Sequence, residues 1–193
     1  MPFRPPPATA GWQHREARSG FEVVYFRALE GGWAIDGTTA AVEDAQTWVV
    51  SYNIELDDGW VTRKAQIRAR TISGSCETRL ESDGAGYWLV NGDPAPHLDG
   101  CLDVDLESSA MTNALPVHRL DLPTGLRVAA PAAYVRALDL SVERLEQTYL
   151  RIPDESAHQR YDYVAPAFGF TSRLVYDDSG LVLDYPGIAQ RAR

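Results

Sequence analysis

The sequence predicts an all-β (mainly β) protein built from antiparallel strands, and three observations carry that prediction. From Trp12 onward, runs of five to ten residues rich in Val, Ile, Thr, Tyr and Trp alternate with breaks rich in Gly and Asp. At least three pairs of these runs are joined by short Gly-containing segments of the hairpin kind. The chain also carries 15 Gly and 12 Pro in 193 residues, slightly above the usual share, which implies many turns.

Hydrophobic residues are 45% of the chain and charged residues 23%, ordinary values for a folded domain. A chain of this length buries roughly 70% of the surface that its unfolded form exposes, enough for a core without staples. Residues 1–11 are Pro-rich and patternless and read as a flexible tail, leaving 12–193 as a single domain.

The elements follow in order. Phe21–Arg27 reads as a strand and runs into the turn Glu30-Gly-Gly32. Trp48–Leu56 and Trp60–Arg70 flank Asp57-Asp-Gly59, where Gly is expected to supply the positive φ of a tight turn. Glu77–Leu80 and Tyr87–Val90 flank Ser82-Asp-Gly-Ala-Gly86, and Thr171–Tyr176 and Leu181–Tyr185 flank Asp178-Ser-Gly180. Two segments compete for helix. Ser108–Leu115 has a capping Ser and stops before Pro116. Leu138, Val142, Leu145, Tyr149 and Ile152 form a stripe at helical spacing, although the stretch opens on the β-like Ala133–Arg136.

The net charge of −9 disfavours nucleic acid as a partner, because the whole-molecule field repels phosphate backbones. The bases are 17 Arg and one Lys, Lys64; Arg is the better bidentate partner for carboxylate or phosphate. Cys76 and Cys101 give neither a disulfide framework nor a zinc site and are expected to stay reduced. Met1–Pro7 lacks the apolar core of a secretion signal, and no run of about 18 apolar residues occurs. A soluble, cytoplasmic protein without a membrane span is therefore expected.

The acids are unevenly placed. Asp93, Asp99, Asp103, Asp105 and Glu107 fall within fifteen residues that contain no Lys or Arg. On a strand Asp103 and Asp105 share one face, with Leu102, Val104 and Leu106 on the other. With Asp99 one turn away, three carboxylates on one side could hold a hard cation, pair with the Arg surplus or orient sugar hydroxyls. The EF-hand pattern is missing, as are a nucleophile elbow, a P-loop, a dinucleotide fingerprint and zinc-type His spacing, so neither metal nor cofactor is expected. Between acids and apolar neighbours, Cys101 should have a raised pKa and be unreactive. The 5 Trp, 9 Tyr and 5 Phe supply a core and, on a curved sheet, the wall of a lipid or sugar pocket.

Leu98-Asp-Gly-Cys-Leu-Asp-Val-Asp-Leu106 followed by Thr112-Asn-Ala-Leu-Pro-Val-His-Arg-Leu120 resembles the signature of the bacterial putative glycolipid-binding family. The resemblance continues through Gly86-Tyr-Trp88, Asn91-Gly92, the pair Gln147 and Tyr149, and Tyr176-Asp-Asp-Ser-Gly-Leu-Val-Leu-Asp-Tyr-Pro186, and spans 12–191. It departs at Ala110-Met111, where the family has Pro-Phe, at His118, where it has Arg, and at Tyr176, where it has Val.

The resemblance implies a spiral β-roll, a long curved antiparallel sheet wrapped around one helix, with a homodimer and a likeness to periplasmic lipoprotein carriers. One helix forces a choice, and 108–115 is taken, leaving 133–152 as strand. The function expected is non-catalytic binding of a glycolipid or similar amphiphile in an apolar groove. Asp99, Asp103, Asp105, Asn113 and Arg119 would orient the polar head, with Trp88, Gln147, Tyr149 and Tyr185 as walls. The alternatives are a carboxylate-dependent enzyme acting on a glycoconjugate and a dimeric interaction domain.

Overall fold

A computed structural model describes residues 3–192. Two antiparallel meanders make one fourteen-stranded sheet. The first comprises β1 (Thr9–His14), β2 (Ser19–Leu29), β3 (Gly32–Glu43), β4 (Gln46–Asp57), β5 (Thr62–Thr71), β6 (Gly74–Ser82), β7 (Trp88–Val90) and β8 (Asp93–Pro94). A central stretch then carries β9 (Asp103–Leu106), α1 (Ala114–Leu120), β10 (Arg127–Ala129), β11 (Ala132–Val135) and β12 (Val142–Leu145). The second meander is β13 (Thr148–Glu155), β14 (His158–Ala165), β15 (Phe170–Tyr176), β16 (Val182–Tyr185) and β17 (Ala189–Arg191). Strand β1 pairs with both β2 and β17, so the two ends of the chain join the meanders, and β10 completes the far edge beside β13.

Each long strand alternates between faces. On β2, Glu22, Val24 and Phe26 are buried while Phe21, Tyr25 and Arg27 are exposed, and β3 and β4 repeat this in register. The inward residues form two apolar clusters. One gathers Trp12, Trp48 and Trp88 with Ile35, Ile54 and Leu115; the other gathers Tyr149, Tyr161, Tyr176 and Tyr185 with Val117 and Leu174. The short helix contributes to both and so sits between the two halves of the sheet.

The small sheet has the order β12-β11-β9, and its β9–β11 pair is parallel. A parallel pair needs a crossover of a dozen or more residues, usually helical. The segment between β9 and β11 supplies it, which explains why the one α-helix lies there. No helix among the described residues is long and apolar enough to cross a membrane.

Four local expectations are corrected. The sheet starts at Thr9, so residues 9–11 are strand and not tail; Arg4 donates its backbone N–H to Asp178 and Phe3 meets His118, while Met1 and Pro2 lie outside the described residues. The helix is displaced from 108–115: a 3-10 turn at Met111–Asn113 leads into Ala114–Leu120. Pro116 falls in the first α turn, where its missing N–H costs nothing, and Asp121 in the left-handed region ends the helix. Ser109, not Ser108, turns its hydroxyl toward the Thr112 N–H. In the β4–β5 turn Trp60 takes the positive φ of 63° expected of Gly59, while Asp57 accepts the Gly59 and Val61 N–H groups.

The stripe from Leu138 to Ile152 resolves into β12 and β13, with Leu145 and Tyr149 buried on separate strands.

Candidate functional site

The β9–α1 connection is fixed from below by a buried acid. Glu22 accepts hydrogen bonds from the Tyr52 hydroxyl (2.6 Å), the Ser109 hydroxyl and the Ala110 N–H (2.8 Å). Burial raises the Glu22 pKa, and these donors act against the rise. The same connection is tied to the second meander by tyrosines. Tyr149 donates to the Asn113 side chain (3.1 Å) and Tyr176 to the Asn113 carbonyl (3.1 Å).

Above this floor lies a cavity of about 230 Å³. Its polar wall comprises Asp105, Glu107, Ser109 and Asn113 from the β9–α1 segment, with Arg18 and Arg136 beside them. Its apolar wall is aromatic: Tyr163, Phe170 and Tyr185 form a mutually tilted trio with ring centroids 5.9–6.2 Å apart, and Tyr134 faces Phe168 at 5.4 Å. Phe168 is exposed and the Arg136 guanidinium lies over it and over the buried Tyr134, so Phe168 and Arg136 stand at the rim. Asp105 accepts the Thr112 hydroxyl (2.8 Å), and its pKa is raised to about 6 by burial, with Thr112 opposing and Asp103 adding to the rise. Glu107 accepts the Ala137 N–H (2.8 Å) and lies 3.5 Å from Arg136.

The residues expected to meet at a site are divided. Asp105, Asn113 and Tyr185 line the cavity. Gln147 and Tyr149 stand one layer behind: Tyr163 donates to the Gln147 side chain (2.8 Å), and Tyr149 holds Asn113. Asp103 and Arg119 are absorbed by each other in a bidentate pair of 3.0 and 2.6 Å, with Asp103 fully buried. Trp88 is a core residue whose indole N–H reaches the Cys101 carbonyl (2.8 Å). Asp99 is exposed in the loop before β9 and offers its carbonyl to Arg144.

The expected face of three carboxylates is therefore not formed. Both faces of β9 are buried, which forces Asp103 to find a counter-charge of its own. No group of three or more His, Cys, Asp or Glu side chains is gathered as a metal-ligand set among the described residues. Cys101 is buried with its pKa pushed up to about 11, chiefly by burial.

Sequence reasoning missed Arg18, Tyr134, Arg136, Tyr163 and Phe170. The two-residue alternation of β14 groups Tyr163 with the inward Tyr161 and was readable. Arg18 carries no local signal, because its partner, the Glu107 carbonyl, lies 89 residues away in the chain.

Fold and cavity together define an all-β roll that encloses a compact site with one aromatic and one polar wall. The chain belongs to the family described as Putative glycolipid-binding, whose model matches residues 9–191. The crystal structure of a DUF1089 family protein from Pseudomonas aeruginosa is similar, with a TM-score of 0.77 and 29% identity over 89% of this chain and 92% of that one. A β-barrel-like protein of the domain of unknown function DUF1849 from Brucella abortus shares the fold at a TM-score of 0.54 and 11% identity, covering 99% of this chain and 98% of that one. A comparison with the curated proteins finds no match.

Proposed function

We propose that the protein is a non-catalytic binder of a glycolipid or similar amphiphile and that the cavity seats its polar head. The observation that carries this reading is the pairing of an aromatic wall with Asp105, Ser109 and Asn113 opposite. Aromatic faces take the C–H face of a sugar ring, and fixed polar groups take its hydroxyls. The volume of about 230 Å³ lies below the usual 300–1,000 Å³ of pockets for drug-sized ligands. It accommodates a single ring, so the apolar chain leaves past Phe168 at the rim. With Cys76 and Cys101 free, a reducing, cytoplasmic setting belongs to the same proposal.

Native mass spectrometry of freshly purified protein, followed by solvent extraction, tests it. The expected result is an adduct released by solvent, with recovery of the bound mass when the stripped protein meets a short alkyl glycoside. An empty protein that ignores alkyl glycosides overturns the reading.

The outer sheet face favours a second reading, association with another copy. Phe21 and Tyr25 on β2, Val42 on β3 and Val49 on β4 are exposed there. Sedimentation equilibrium should then give a dimer that Tyr25→Glu with Val49→Glu dissociates; a monomeric parent protein refutes it.

A further inference from the structure

Two arginines close to β9, Arg18 buried and Arg119 half-buried, are treated differently. Arg119 is met by both carboxyl oxygens of Asp103. Arg18 is more withdrawn from water, with 7% of its side chain exposed against 13% for Arg119, yet its ion pair, to Glu43, is a single contact of 3.5 Å and not a bidentate one. Its Nη1 donates to a backbone carbonyl, that of Glu107 (2.8 Å). Its Nε makes no hydrogen bond, and the nearest carboxylate oxygen, on Glu43, stays 3.5 Å away. Trp48 lies under the guanidinium at 5.2 Å and offers only its π face. A buried guanidinium is costly unless an anion meets its planar fork.

Arg18 also lines the cavity, together with the polar wall. Arg136 lines it too, and its own carboxylate contacts, Glu143 and Glu107, engage Nε and Nη1.

We infer that the cavity selects an anionic sugar head, a ring bearing a carboxylate or a phosphate, and that Arg18 is the residue that pairs with the charge. This rests on the amphiphile-binding reading above and narrows its ligand class. The ring lies against Tyr163, Phe170 and Tyr185, its hydroxyls meet Asp105 and Asn113, and the anionic group faces Arg18 with Arg136 at the rim. Uronates and sugar phosphates share this chemistry.

Calorimetric titration of the full chain, at fixed salt and pH 7, tests the inference with four probes: octyl β-glucoside, octyl β-glucuronide, glucose 6-phosphate and inorganic phosphate. The expected result is that at least one anionic sugar binds about tenfold or more tightly than the neutral glucoside, the size of a charge-assisted hydrogen bond. Which of the two does so assigns the source of the charge. Arg18→Gln should remove that preference while keeping the weaker binding of the glucoside, and Arg18→Lys should restore part of it. Circular dichroism checks that both variants fold.

Equal affinity of the unmodified protein for neutral and anionic sugars overturns the inference without any variant and leaves the amphiphile reading standing. Inorganic phosphate binding as tightly as the sugar phosphate overturns the sugar component. Failure of all four probes overturns both readings.

Discussion

At the residue scale, Asp103 and Asp105 show how two similar carboxylates acquire separate tasks from their neighbours. Asp103 is a structural ion, and removing one partner of a buried pair costs roughly 3–5 kcal/mol. Arg119→Ala should lower stability by that order in urea unfolding at pH 7 and by less at pH 4, because the stranded carboxyl can then take up a proton. Replacing both partners with apolar residues of similar size should recover much of the loss. Asp105 makes a different prediction. Its pKa, raised by burial to about 6, lets the folded state bind a proton that the unfolded state has released. Its contribution to stability is therefore full below about pH 4 and is lost as pH rises toward 6. His14 and His118, whose pKa values burial lowers to about 4, contribute the opposite slope over the same range. The informative measurement is thus the difference between Asp105→Asn and the parent in Tm from pH 4 to 7: the variant should be closer in stability, or superior, toward pH 7. The sequence displayed the acidic cluster and the alternation of β9. It did not reveal that both faces of β9 are covered, which is a property of the sheet around it.

At the element scale, most strands were legible because the two-residue period and the Gly-containing turns are local. The helix was legible in place but not in bounds, since Pro116 reads as a stop until one knows that the first turn starts at Ala114. The parallel β9–β11 pair was not legible, because its partners lie about thirty residues apart and the pairing depends on the crossover. Glycines test how tightly elements meet. Gly86, at φ 104°, faces the Gly100 backbone so closely that a Cβ would stand 2.8 Å from its Cα. Gly92, at φ 90°, would meet nothing within 4 Å. Thermal unfolding should show Gly92→Ala costing only the left-handed penalty of about 1–2 kcal/mol. Gly86→Ala should cost more, because the approach of the β6–β7 loop to the segment before β9 must also open.

At the scale of the whole molecule, the two meanders depend on a short seam. Strand β1 meets β17 through Trp12↔Arg191, Gln13↔Gln190 and His14↔Ala189. Trp12 adds an indole hydrogen bond to the Val182 carbonyl (2.7 Å), and Arg191 lies over its ring at 4.7 Å. Contacts that join the first strand to the last are the most distant in sequence that a chain can make, and such topologies fold in milliseconds to seconds. Deleting residues 189–193 should leave both meanders able to form strands but lower the Tm and expose Trp12, read as a red shift and greater quenching of tryptophan fluorescence. An unchanged Tm would show that the two apolar clusters hold the halves together without the seam. The direction of the seam has a mechanical consequence. Because β1 and β17 run antiparallel, Thr9 and Arg191 lie toward the same end of the pair. A pulling force applied through these two residues therefore peels the strands apart one hydrogen bond at a time instead of shearing them all at once. In a single-molecule stretching experiment the molecule should yield at low force at its seam before either meander extends.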